Sequence, residues 1–331
     1  MILPYLNGVL RFKDCPITWL IFIINAFVMI ATLNDLVSAQ ASLDETMKDN
    51  YYVVSQGNFY AQFIGDHQAH YTPFMRELSV RALSGDEEKV KLLGNLALRN
   101  EKFMKEAPDY PFRGDQVARG WWLDKVQEMR EIQDRHPSYV LGLNVNHIGL
   151  DHWVSYQFVH SGFLHFAFNM IFLFIFGCYL ETILGGLAVA VIYLGSGMVA
   201  AGTFLLINGA SSAPLIGASG AVSGLMALFC FLHWRVPVRC FYWLFIPVKG
   251  YSGFVYVPAW IIFFLWSTSD LGGYLGSLAE FGGIAYTAHL GGEAAGLITG
   301  AVLLVLTYFR PDQPPHQQVS EENPLDDNRA A

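Results

Sequence analysis

Charge is scarce in this chain. Of 331 residues only 15% are Asp, Glu, Lys or Arg, well short of the roughly 25% usual in soluble domains. The balance of charge is negative, −8, and the basic residues form no cluster, which excludes a nucleic-acid binder and a basic membrane-surface protein. Cysteine is also rare. Cys15, Cys178, Cys230 and Cys240 sit at or near the ends of apolar runs, with no regular spacing, and none falls in the long polar segment. They read as free thiols. No HExxH occurs, and no two histidines stand at i and i+4, so neither a metal nor any other cofactor is expected. No repeat period is visible.

What is present is apolar surface: 53% hydrophobic residues, 15% aromatic ones and a mean hydropathy of +0.34. A hydrocarbon layer about 30 Å thick requires roughly 20 apolar residues per helix. That ruler marks six spans: Ile17–Val37, Gln157–Leu180, Gly186–Ile207, Leu215–Trp234, Phe254–Ser269 and Tyr286–Phe309. The expected fold is an all-α polytopic membrane protein, a six-transmembrane-helix bundle with a helical extramembrane insertion between helices 1 and 2. Its divisions are an N-terminus (1–16), the first helix (17–37), the insertion (38–156), a core of helices 2 to 6 (157–309) and a Pro-rich, acidic, disordered tail (310–331). Arg11, Lys13, Arg235, Arg239, Lys249 and Arg310 all fall on one side of such a bundle, whereas Asn208–Pro214 and Asp270–Ala285 hold no Lys or Arg. The positive-inside rule makes the basic side cytoplasmic, with both termini there, in the inner membrane if the source is bacterial. Val37-Ser38-Ala39 resembles a signal-peptidase site, but the apolar run exceeds the usual h-region and carries Asn25 and Asn34, so a retained helix is favoured.

Within the insertion, Phe74–Leu83, Glu87–Lys105 and Gln116–Arg135 show helical periodicity, with Asp86-Glu87-Glu88 suited to a helix start. Trp121-Trp122 either anchors the insertion at the lipid interface or fills its core. The insertion is expected to select substrates or touch lipid.

Polar groups inside spans are costly, and three sets stand out: His160, His165 and Asn169; Ser219; and His289 with Glu293. His165 and Asn169 lie one helical turn apart on one face, whereas His160 points elsewhere and nearer the entry. Gly220 and Gly224 form a small-residue edge beside Ser219, and His289, Gly292, Gly296 and Gly300 form another. If these edges meet, Ser219 and His289 come within hydrogen-bonding reach, a nucleophile beside its base. Pro214 and Gly217 discourage helix, so the fourth helix starts near Ser219 and spans about 24 Å, short of a full crossing. Its free N–H groups and positive dipole end then lie beside Ser219, ready for an oxyanion that Asn169 and His165 also face.

At these residues the chain resembles the rhomboid intramembrane serine proteases. The family pattern His-x4-His-x3-Asn reads His160, His165, Asn169; Gly-x-Ser-Gly reads Gly217-Ala218-Ser219-Gly220; the last motif reads Ala288-His289, Gly292 and Gly296. Glu181 and Gly185 also fit. The resemblance covers the first span and residues 141–309. It implies a serine endopeptidase with a Ser219–His289 dyad, an oxyanion site from His165, Asn169 and the Ser219 N–H, and support from His160. Substrates would be transmembrane segments of membrane-anchored proteins, entering beside helices 2 and 5, with Leu271–Gly283 (Tyr274, Phe281) as a cap. Partners are thus membrane proteins and lipids, not nucleic acid. Three departures stand out. Ser223 replaces an aromatic residue that packs on the histidine in many members. The insertion is far longer than the usual loop. Glu293 occupies a usually apolar position, where it either orients the imidazole or, the favoured reading, bonds between helices. The rival function is a catalytically silent relative that binds or escorts membrane clients; such relatives lose the serine or histidine, and both are present here. A transporter would call for paired broken helices or inverted repeats, which are not evident.

Overall fold

The computed structural model describes residues 2–4, 11–98, 100–114, 116–144, 147–208, 214–243, 252–277 and 286–308. The expected disorder of the tail and the end of the 271–283 cap with Phe281 lie outside them. Among the described residues, four helical stretches are long and apolar enough to cross a membrane: Pro16–Lys48, Phe163–Leu184, Gly186–Asn208 and Tyr286–Tyr308. Two more complete the bundle, Ser219–Leu232 and Ala259–Ser277. The protein is an all-α polytopic membrane protein.

The first helix, α1 (Pro16–Lys48), starts at a proline, whose missing N–H costs nothing at a helix start. It runs on past Val37, and its far end enters the insertion. Six helices follow: α2 (Asn50–Asp66), α3 (Pro73–Leu83), α4 (Glu87–Ala97), α5 (Glu101–Glu106), α6 (Gln116–Gln133) and α7 (Pro137–Leu141). The 87–105 stretch is thus two helices, because the Asn100 side chain accepts from Phe103 N and caps a new start. Asp49, Thr72 and Asp86 cap α2, α3 and α4 in the same manner. These helices bury their own core of Tyr52, Phe63, Phe103, Trp122 and Met129. Trp122 is fully buried there and donates to Gln56, while Trp121 packs edge-on to Tyr51. The core-filling reading holds for Trp122, while Trp121 is half-buried at the edge of that core.

A short helix α8 (Leu150–Ser155) precedes the second crossing, which comprises α9 (Phe163–Phe172), a π turn and α10 (Cys178–Leu184). Residues from Gln157 to Gly162 therefore precede the long helix of this crossing, and His160 sits in its non-helical lead-in. The rest of the bundle is α11 (Gly186–Asn208), α12 (Ser219–Leu232), α13 (Ala259–Ser277) and α14 (Tyr286–Tyr308), with α12 packed against α11, α13 and α14. Phe27, Ile30, Leu187 and Leu206 stay exposed on outer faces, as lipid contact allows.

The fifth span departs from expectation at both ends. Ser252–Pro258 forms strand β3, paired antiparallel with β2 (Pro237–Trp243), which also pairs with β1 (Ile2–Pro4). β-branched and aromatic residues at Val238, Phe254, Val255 and Val257 favour extended pairing. The helix then continues through Leu271–Ser277, residues expected in the cap, so Tyr274 rides on α13.

Cysteine usage also needs correction. Cys15 and Cys178 form a disulfide with Cα atoms 4.9 Å apart, leaving Cys230 and Cys240 free and buried. Spacing along the chain could not reveal this, since helix packing brings together residues separated by 163 positions. Next to it, the buried Glu181 carboxylate accepts from Ile17 N (2.8 Å), Thr18 N (2.7 Å) and Thr18 Oγ1 (2.7 Å). An acid from α10 thereby caps the start of α1, which has no side-chain cap of its own.

Two outcomes follow. Glu181→Ala leaves three buried donors unpaired and lowers stability by about 1–3 kcal/mol, measurable by equilibrium unfolding in detergent. In denaturant without reductant, maleimide labels only Cys230 and Cys240; after reduction it labels all four cysteines.

Candidate active site

The segment entering α12 is non-helical and is held by backbone hydrogen bonds to neighbouring segments. Leu215 exchanges two backbone hydrogen bonds with Leu143 (Leu215 N to Leu143 O 2.7 Å, Leu143 N to Leu215 O 3.0 Å), and Gly217 N donates to Tyr156 O at 2.8 Å. Irregular backbone at membrane depth survives only with such partners. Gly217 takes φ +109°, a conformation that side chains resist, and it turns the chain into the helix. The helix then begins at Ser219 with no side-chain cap, and its first bond is Val222 N to Ala218 O. The N–H groups of Ser219, Gly220 and Ala221 therefore lack intrahelical acceptors.

Backbone contact sets what faces this start. A Cβ at Gly292 would lie 2.0 Å from Gly220 O, and one at Gly296 would lie 2.1 Å from Gly224 O. α14 thus rests directly on α12. Gly220 in turn faces Ala200 of α11, where a Cβ would come within 2.6 Å of the methyl. At this separation His289 Nε2 stands 2.9 Å from Ser219 Oγ. The other imidazole nitrogen, Nδ1, is 3.1 Å from Asp270 Oδ1 of α13.

The remaining candidates divide. His165 Nδ1 accepts from Ser161 N (3.4 Å) and lies 3.2 Å from Ser161 Oγ. A neutral ring accepting there carries its proton on Nε2. That nitrogen faces Gly217, where an added Cβ would meet it at 2.9 Å, one residue short of Ala218-Ser219. His160, almost fully buried, packs edge-on to His165 with ring centroids 5.1 Å apart. Asn169 is buried, but its amide donates to His165 O (2.9 Å) in its own helix, and no hydrogen bond joins it to Ser219 or His289 among the described residues. Among the described residues there is also no cluster of His, Cys, Asp or Glu fit to hold a metal.

Residues 149–306 match the rhomboid domain family model. These residues form a rhomboid-family domain. It is 30% identical over 154 residues to the mitochondrial rhomboid protein 1 of Saccharomyces cerevisiae, covering 44% of this chain and 40% of that one. It is 32% identical over 100 residues to a putative rhomboid protease, YdcA, of Bacillus subtilis, covering 28% and 47%. A third relative, the inactive rhomboid protein 1 of Drosophila melanogaster, is 32% identical over 79 residues, covering 23% and 6%. The chain spans less than half the length of each of these relatives.

Within the rhomboid domain, Glu293 does not reach His289; its Oε2 accepts from Ser267 Oγ of α13, an interhelical bond. Sequence reasoning missed Asp270, because ending the fifth span at Ser269 put it in a loop. The signal available was an acid one turn beyond Ser267 with no basic residue nearby. Ser223, where an aromatic was expected, is buried.

Gly292→Ala forces α14 off Gly220 and costs about 1–3 kcal/mol. Gly195→Ala, whose Cβ meets nothing within 4 Å, stays within about 0.5 kcal/mol of the parent in the same unfolding assay.

Proposed function

We propose that this rhomboid is an intramembrane serine endopeptidase that cleaves transmembrane segments of membrane-anchored proteins. The observation that carries the reading is the 2.9 Å contact between Ser219 Oγ and His289 Nε2 at the uncapped start of α12. A serine hydroxyl is a weak nucleophile alone, and an imidazole nitrogen within hydrogen-bonding distance removes its proton as it attacks. The Ser219 Oγ–H proton passes to Nε2 while the oxygen bonds to the scissile carbonyl carbon. The carbonyl π pair moves onto oxygen. Collapse of that oxyanion breaks the C–N bond, and Nε2 returns its proton to the departing amine. Water then attacks the ester by the same route in reverse and frees Ser219.

The developing oxyanion needs donors already in place. The Ser219 and Gly220 N–H groups, on the positive end of α12, supply them, and His165 Nε2–H is a third donor. Asn169 serves this role only if its amide leaves His165 O. His160 supports the site through the His165 ring. A substrate helix has its peptide groups paired internally, so it must unwind locally before its carbonyl reaches Ser219.

We place the basic ends of the bundle in the cytoplasm. The pairing of β1 with β2 supports having the N-terminal segment and the α12–α13 connection on one side. A client-binding, non-hydrolytic rhomboid is the alternative suggested by the Drosophila relative's name. The contact between Ser219 and His289 favours catalysis, because a pure binding site has no need of it.

A fluorophosphonate probe is expected to label Ser219 in detergent-solubilised protein. Ser219→Ala and His289→Ala each lower cleavage of a model transmembrane substrate by at least about 10³-fold. Unchanged cleavage in either variant would overturn the assignment.

A further inference from the structure

The imidazole has a second partner that a two-residue mechanism does not use. Asp270 Oδ1 lies 3.1 Å from His289 Nδ1, and the Asp270 side chain is only 9% exposed. Ser267 and Asp270 stand one turn apart on α13, and His289 and Glu293 stand one turn apart on α14. The pairs meet in antiparallel order, Asp270 with His289 and Ser267 with Glu293. Asp270 Oδ2 and Glu293 Oε1 are both buried without a donor, on the facing turns of α13 and α14 that the His289 and Ser267 contacts bring together. Two bare carboxylates cannot share such a place, whereas one proton between them satisfies both oxygens.

We propose that Asp270 is a positioning residue for His289, completing a Ser219–His289–Asp270 triad, with Glu293 holding the proton that leaves Asp270 with a single negative charge. This rests on the serine-protease reading above. His289 Nδ1–H donates to Asp270 Oδ1, which commits the neutral ring to a lone pair on Nε2, facing Ser219. When Nε2 takes the serine proton, the adjacent carboxylate stabilises the imidazolium, and Asp270 itself stays ionised. Glu293 O–H donates to Asp270 Oδ2, and Ser267 donates to Glu293. The ring is thus fixed by the hydrogen bond it donates to α13, at a site where residue 223 is a serine and offers no aromatic surface.

Asp270→Asn presents an amide N–H to Nδ1 and selects the wrong tautomer. The expected result is a fall in kcat of about 10²–10⁴-fold, with fluorophosphonate labelling of Ser219 slowed in parallel. KM for the transmembrane substrate stays within about twofold. Glu293→Gln, whose amide can still donate to Asp270, keeps kcat within about tenfold of the parent. Nitrogen NMR of [15N]histidine-labelled protein, assigned by His289→Gln, shows the Nδ1–H tautomer in the parent and Nε2–H in Asp270→Asn. A parent that neither labels nor cleaves overturns the protease reading itself. A parent that labels while Asp270→Asn labels equally fast overturns only the triad. An Nε2–H tautomer in the parent also overturns it, and that measurement does not depend on the variant folding.

Discussion

The direct rest of one helix backbone on another, α14 on α12, is the contact on which the site depends. Gly292 and Gly296 stand where any Cβ would enter the carbonyl oxygens of Gly220 and Gly224. Lipid tails are as apolar as leucine, so membrane helices gain little by hiding apolar surface from each other. Close packing of small residues is what holds them. Here the same closeness has a chemical result, because it sets Ser219 Oγ and His289 Nε2 at hydrogen-bonding distance. A wider helix pair would keep the fold and separate the two groups.

Polar atoms at this depth need partners, and several of them find theirs on neighbouring elements. The entry into α12 borrows backbone partners from Leu143 and Tyr156. The start of α1 borrows a carboxylate from α10, where Glu181 receives three donors. The carboxyls of Asp270 and Glu293 face His289 and Ser267 across the α13–α14 contact. In each case a group that would be costly alone in hydrocarbon is matched by one far away in sequence. The uncapped N–H groups at Ser219 are left open at the very place where the chemistry would need donors.

The insertion obeys different physics. Its helices are capped by Asp49, Thr72, Asp86 and Asn100, as helices that end in water usually are. Its aromatic core around Trp122 is separate from the cluster that packs α9 to α12. Hydrophobic burial drives the one, and small-residue packing with paired polar groups holds the other. The C-terminal part of α1 joins them, contributing Ala39 to the insertion core and Ile21 to the bundle.

The membrane class, the helical insertion and the start of α12 at Ser219 were legible because hydropathy, periodicity and Pro/Gly punctuation are local properties of a chain. So were the glycine edges, since spacing alone places Gly292 and Gly296 on one face of a helix. What hydropathy could not locate was where a helix gives way to a strand, as at Phe254–Pro258, because a short apolar run suits either state. Nor could it reveal partners. The Cys15–Cys178 disulfide, Glu181 at the α1 start, Asn169 turned to its own helix, and Asp270 behind His289 all depend on which turn of one helix meets which turn of another. Sequence by itself picked out which polar residues stand among the apolar spans, because such groups there are few and costly. Tertiary packing alone decided what each one touches, since the register between two helices is set by the contact of their side chains and backbones.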